Sequence, residues 1–168
     1  MKNKQRRVFS LAAGGMLAAL VFAATCFIKL PVSITQGYIH LGDGFILLGA
    51  ALLGPIAIPA AAIGSMLADL LGGYTMYCLP TFIVKGAVAT VAVWAFAKKR
   101  PQWLTIAMLA ASEAVMVLGY FVCEWLLLGY GLAAAAAAVM PNMVQGASGV
   151  IVAVVLLPVL QRTKALHR

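Results

Sequence analysis

Acidic residues are nearly missing from this sequence. Asp43, Asp69, Glu113 and Glu124 are the only four among 168 residues, and charged residues of both signs together make up 10%. With 64% hydrophobic residues, the chain has too little polar surface for a water-soluble fold, in which roughly 45–50% apolar content is usual. Cysteine is scarce too. Cys26, Cys78 and Cys123 are odd in number and show neither CxxC nor Cys/His ligand spacing, which argues against a disulfide framework or a zinc site and leaves them as apolar packing residues. Also missing are GxxxxGK[ST], HExxH and GxSxG, the patterns that cradle phosphates, hold zinc or expose a nucleophilic serine. The chain is therefore read as no enzyme, with no ATPase motif of its own and no cofactor or metal implied.

Long apolar runs are abundant. About 20 apolar residues cross a bilayer core, so six spans would use roughly 120 residues and leave short loops and two tails. The runs and their Pro, Gly and charged breaks predict helices at about 8–28, 43–54, 56–73, 80–97, 103–128 and 137–160, within one membrane domain over 1–168. The second run is short for a crossing and ends at Gly54-Pro55. A basic start before an apolar run also resembles a signal sequence, but with five further spans downstream residues 8–28 read as a retained helix.

The net charge of +8 is informative through its placement. Lys2, Lys4, Arg6 and Arg7 precede the first run, Lys98, Lys99 and Arg100 interrupt the middle, and Arg162, Lys164 and Arg168 end the chain. Six crossings put all three clusters on the cytoplasmic side under the positive-inside rule, whereas five or seven would separate the two termini. The expected class is an all-α integral protein of the cell membrane, with six transmembrane helices and both termini cytoplasmic.

Ionisable groups inside spans are costly and tend to face a cavity or a partner. Glu113, Val117, Tyr120 and Glu124 share one face of the fifth helix. Asn142, Gln145 and Gly149 share a face of the sixth, and Thr81, Lys85 and Ala89 a face of the fourth. Together they could line one outward-opening pocket suited to a small heterocyclic or polar-aromatic ligand. Other readings stay open: Lys85 could pair with Asp69 or a glutamate, Asp43 could be the N-cap of the second helix, and the aromatic rings could be interfacial anchors. Small residues recur at fourfold spacing as Gly15, Ala19 and Ala23 on the first helix and as Ala60, Gly64, Ala68 and Gly72 on the third. Such stripes allow close helix approach, internally for the third helix and either internally or towards another membrane subunit for the first.

The order of these features resembles the S component of an energy-coupling factor (ECF) type vitamin transporter, closest to the riboflavin-type branch. The resemblance spans nearly the whole chain. It rests on Ala19 and Ala23, on Gly37-Tyr-Ile-His-Leu-Gly-Asp-Gly44 leading through Leu47-Leu-Gly-Ala50 to Gly54-Pro55, on Gly64-Ser-Met-Leu-Ala-Asp-Leu-Leu-Gly-Gly-Tyr74, and on Ile83-Val-Lys-Gly86. It implies a substrate-capture subunit of an ABC-type importer that binds a vitamin or related heterocycle from outside and works with a membrane coupling subunit and two cytoplasmic ATPases. It further implies that Gly15, Ala19 and Ala23 contact the coupling subunit, that the loop 29–42 closes over the ligand, and that Tyr38, His40, Lys85, Tyr120, Glu124, Asn142 and Gln145 bind it. The alternatives are an independent ion-coupled secondary transporter using Glu113, Glu124 and Lys85, a membrane enzyme using His40 and Asp43, and a purely structural subunit.

Overall fold

The computed structural model describes residues 2–32 and 37–166. The described residues form six α-helices and one short hairpin. Helix α1 (Lys2–Phe27) leads into strands β1 (Lys29–Val32) and β2 (Gly37–His40), which pair antiparallel with Lys29 opposite His40 and Val32 opposite Gly37. Then follow α2 (Gly42–Leu53), α3 (Ala57–Leu71), α4 (Cys78–Phe96), α5 (Gln102–Val122) and α6 (Leu132–Leu166). Helix α1 starts at Lys2, ahead of the apolar run expected from about residue 8, because Lys, Gln and Arg are good helix formers and a span can extend beyond the bilayer. Helix α6 takes in the Ala133–Ala138 run and continues through Pro141 and Pro158.

The breaks have local causes. Gly54 sits at φ +63°, a backbone conformation that glycine adopts without a Cβ clash, and Pro55 follows in the first turn of a short 3-10 segment. The chain reverses there. Along α1, Leu17 packs at Gly49 of α2 and Gly14 at Ile56, so α2 descends against α1. Ala18 then packs at Gly64 of α3, and Thr25, Ser65 and Asp69 come together at the far end of both helices. The α2–α3 pair is thus a helical hairpin leaning on α1, with arms of 12 and 15 residues that reach only about 18 and 22 Å.

Among the described residues, five stretches are long and apolar enough to cross a membrane, the hairpin 42–71 counting as one of them by length and composition. The interior is built from small and branched residues, with Val21, Ile46, Leu47, Ala57, Ala61, Val88, Ala89 and Ala92 fully enclosed. Large apolar side chains such as Phe9, Leu11, Trp94, Trp103, Leu127 and Ile151 point outward instead. In water that surface would drive aggregation; against lipid tails it matches its solvent, and packing between small residues holds the helices together.

Gly64 shows what that packing demands. A Cβ there would lie 2.5 Å from the Ala18 carbonyl oxygen, while a Cβ on Gly15 would meet nothing within 4 Å. Gly64→Leu is expected to lower the melting temperature in detergent by separating α1 from α3, at a cost of roughly 1–3 kcal/mol or more for overpacking, and Gly15→Leu to leave it unchanged. Equal melting temperatures for the two variants would contradict the assignment of Gly64 to the α1–α3 contact.

Candidate functional site

One end of the bundle carries a polar cleft. Its cavity volume is about 50 Å³, and the space continues outward into an open mouth. Strand β2 brings His40 to the wall, α1 brings Thr25, and α3 brings Ser65 and Asp69. Tyr77 and Thr81 come from the start of α4, Tyr120 and Glu124 from the end of α5, and Asn142 and Gln145 from α6. Most of these groups arrive at a helix end, where the backbone turns leave room for an opening.

Two hydrogen-bonded pairs set the aromatic side of the wall. Tyr77 donates its hydroxyl to Glu124 Oε1 at 3.1 Å, and Thr81 Oγ1 and Tyr120 OH bond to each other at 3.0 Å. Tyr77 also packs tilted against Tyr120 and Tyr130, with ring centroids 6.4 and 6.3 Å apart. Glu124 is placed by a single wide turn, residues Cys123–Leu127, in which Leu128 N–H reaches back to the Cys123 carbonyl. Such π-type turns re-aim a side chain relative to the helix before them.

One turn deeper lies a buried ionic cluster. Lys85 Nζ meets Asp43 Oδ1 at 2.6 Å, both side chains fully enclosed. Gln145 donates to Asp43 Oδ2 at 2.7 Å while its Oε1 accepts the His40 backbone N–H at 3.1 Å. The Met116 thioether sits 3.0 Å from Lys85 Nζ and 3.2 Å from Gln145 Nε2, and Lys85 lies 5.5 Å from the centre of the Tyr120 ring. His40 Nδ1 accepts the Gly42 backbone N–H at 3.0 Å, so its ring proton is on Nε2. Burial first, and the Lys85 charge second, hold the His40 imidazole neutral, lowering its pKa from the ordinary 6.5 to about 3 although Asp43 pulls the other way.

The sequence-derived residues therefore divide. His40, Tyr120, Glu124, Asn142 and Gln145 stand in the cleft wall. Lys85 is outside the wall, locked to Asp43 one turn below it. The Tyr38 backbone pairs with Pro31 in the hairpin, and its side chain lies outside the described residues. Two expectations are corrected. Asp43 is not the N-cap of α2, since Leu41 holds that position without a side-chain cap and Asp43 sits in the first turn. Nor does Lys85 pair with Asp69 or a glutamate: its partner is Asp43, because α2 and α4 bring the two together. Glu113 is buried but outside the wall, against Gly146 of α6. Thr25 and Ser65, which also stand in the wall, were not anticipated.

The fold and this cleft define a multi-pass helical membrane protein with a polar cleft at one end. The sequence matches the ECF-type riboflavin transporter, S component family over residues 6–162, and the chain belongs to that family. It is 34% identical over 134 residues to the "Uncharacterized protein in gap 3'region" of Pyrococcus woesei, covering 79% of this chain and 88% of that one. Its fold is similar to that of a bacterial protein solved under the description "Structure and mechanism of the S component of a bacterial ECF transporter". The TM-score is 0.74 at 20% identity, over 97% of this chain and 98% of the other.

Two outcomes follow from the ionic cluster. Lys85→Met leaves the Asp43 carboxylate buried without its cation and should cost about 3–5 kcal/mol, whereas Lys85→Met with Asp43→Leu should regain most of that loss; a double-mutant cycle of melting in detergent checks it, and a single variant as stable as the parent would contradict it. Between pH 3 and 6.5 the unfolded chain holds a proton at His40 that the folded one does not. Stability is thus complete above about pH 6.5 and falls as pH is lowered, by about 2 kcal/mol at pH 5 from this residue alone. Melting curves at pH 7.5 and 5.0 should separate for the parent and converge for His40→Asn.

Proposed function

We propose that this chain is the substrate-capture subunit of an ECF-type importer, taking up a vitamin or related small heterocycle from outside and passing it inward with an ATP-driven module. The observation that carries the reading is the polarity of the molecule along its axis. The cleft opens at one end. At the other lie the Gly54–Ile56 reversal, the first turns of α1 with Lys4, Arg6 and Arg7, and a groove shared by Lys98, Lys99 and Arg100 with the last turns of α6 around Gln161. The positive-inside rule puts the basic end in the cytoplasm, which turns the polar cleft at the other end to the outside.

In this reading α2 and α3 each cross, the bundle has six crossings, and both termini are cytoplasmic. The antiparallel course of the two arms along α1 supports that count. His40, Tyr120, Glu124, Asn142 and Gln145 contact the ligand directly, with Tyr38 beside them on the hairpin. Lys85 acts through Asp43 and Gln145, which fix His40 and therefore the base of the hairpin. The hairpin strands Lys29–Val32 and Gly37–His40 close over the bound ligand, with residues 33–36 between them outside the described residues.

The coupling subunit docks on α1. Gly15 and Ala19 are exposed and Ala23 half-buried, while the opposite side of the same helix, at Leu17 and Val21, is buried, with Leu17 against Gly49 of α2. A low-relief face of this kind lets a partner helix approach and slide with little side-chain entropy lost. Two cytoplasmic ATPase subunits supply the energy, since the sequence has no phosphate-cradling motif.

Ala19→Trp separates the roles. Uptake of radiolabelled vitamin by cells that also express the coupling module should fall to background, and binding by the purified variant should stay within about twofold of the parent. Loss of binding would contradict the interface role, and uptake persisting without the ATPases would favour an ion-coupled carrier.

A further inference from the structure

The charge of the cleft points to the kind of ligand it takes. Glu124 is 3% exposed and Ser65 1% exposed, and both line the cleft; Glu124 Oε2 and Ser65 Oγ have no hydrogen-bond partner among the described residues. Buried polar atoms left unsatisfied are rare in folded proteins and call for an explanation. Here both are in the wall of one opening, where a bound molecule would reach them.

The surrounding charges are one-sided. Asp69 is a second carboxylate in the same wall. Lys85 is outside the wall and held by Asp43, and the side chain of Lys29, whose backbone pairs with His40, lies outside the described residues. His40 accepts a backbone N–H at Nδ1, which an imidazolium could not do. Among the described residues the wall thus has two carboxylates and no cation, so a ligand gains most by bringing positive charge and N–H donors. A flavin brings hydroxyl donors on its ribityl chain but only one N–H, set between two carbonyl oxygens, on its ring edge, and no positive charge to offset the two carboxylates. Tyr74, Tyr77 and Tyr120 add ring faces to the same opening, which suit a cationic or flat ring system.

Resting on the capture reading above, we propose that the cleft selects a cationic nitrogen heterocycle, one with a fixed positive charge or a protonated amine, whose N–H or charged group is taken by Glu124 Oε2 with Ser65 Oγ as a second contact. The acceptor is the orphan oxygen of Glu124; the other oxygen is already committed to the Tyr77 hydroxyl.

The test is titration calorimetry of the purified full chain in detergent against thiamine and pyridoxamine, which are cationic at pH 7.5, and riboflavin and pyridoxine, which are neutral. At least one of the cationic pair is expected to bind tenfold or more tightly than both neutral compounds. Glu124→Gln should weaken that binding on the order of tenfold to a hundredfold, as loss of a charge-assisted hydrogen bond does, and Ser65→Ala by a few-fold. If Glu124→Gln fails to accumulate, Ser65→Ala decides, and unchanged affinity counts against the proposal. Preference for riboflavin or pyridoxine, or cationic binding indifferent to Glu124→Gln, overturns the proposal while leaving capture standing. Binding of none of the four compounds overturns the proposal, while capture falls only if the purified protein releases no heterocycle and binds no vitamin.

Discussion

The interaction on which the rest of this structure depends is the buried pair between Lys85 and Asp43. A single ammonium in the middle of an apolar bundle is not tolerable without a partner, and the pair also removes two charges from the energetic problem of insertion. Its consequences reach outward through Gln145. That amide spends its donor on Asp43 and its acceptor on the His40 backbone, so the position of strand β2 is referred to the centre of the bundle. A hairpin of four-residue strands has little stability of its own. Anchoring one of its ends to a buried ionic cluster is a physical route by which ligand contacts in the cleft and the placement of the hairpin become linked.

The same division of labour explains why the polar groups fall into two tiers. The lower tier is saturated: each oxygen of Asp43 and each end of Gln145 has a partner, and Lys85 has a carboxylate, a thioether and a ring face around it. The upper tier is not. Among the described residues, Glu124 and Ser65 keep unmatched atoms at the opening. A saturated layer holds shape, and an unsaturated one can gain by binding. Glu113 is the exception to the first half of this statement: both its carboxylate oxygens are buried without a hydrogen-bond partner among the described residues, and the contact with Gly146 gives no account of why a carboxylate stands there.

Much of the architecture was legible in the sequence because a bilayer simplifies the code. Apolar runs mark the helices, and Gly54-Pro55 and Pro101 mark breaks whose backbone reasons are visible in the fold. The spacing of Tyr120 with Glu124 and of Asn142 with Gln145 correctly placed those side chains on faces that meet at one cleft. What could not be read was pairing. Four carboxylates were available for one buried lysine, and the choice of Asp43, 42 positions away, is fixed by how α2 returns along α1 and faces α4. Asp43 next to a helix start looked like a cap for the same reason: local sequence offers a local role, and only tertiary packing shows that the carboxylate is needed elsewhere. Thr25 and Ser65 were hidden because a hydroxyl in an apolar helix usually bonds back to its own backbone and so carries little information about neighbours.

A capture subunit must hold its small molecule tightly in the cleft. The most direct measurement is to purify the protein in mild detergent without added vitamins, denature it, and quantify released small molecules by mass spectrometry, with tryptophan quenching on re-addition to the emptied protein. The account predicts one nitrogen heterocycle at close to one equivalent, released only on denaturation and quenching on return. Protein that is well folded by melting, yields no heterocycle and shows no quenching with any vitamin would contradict it.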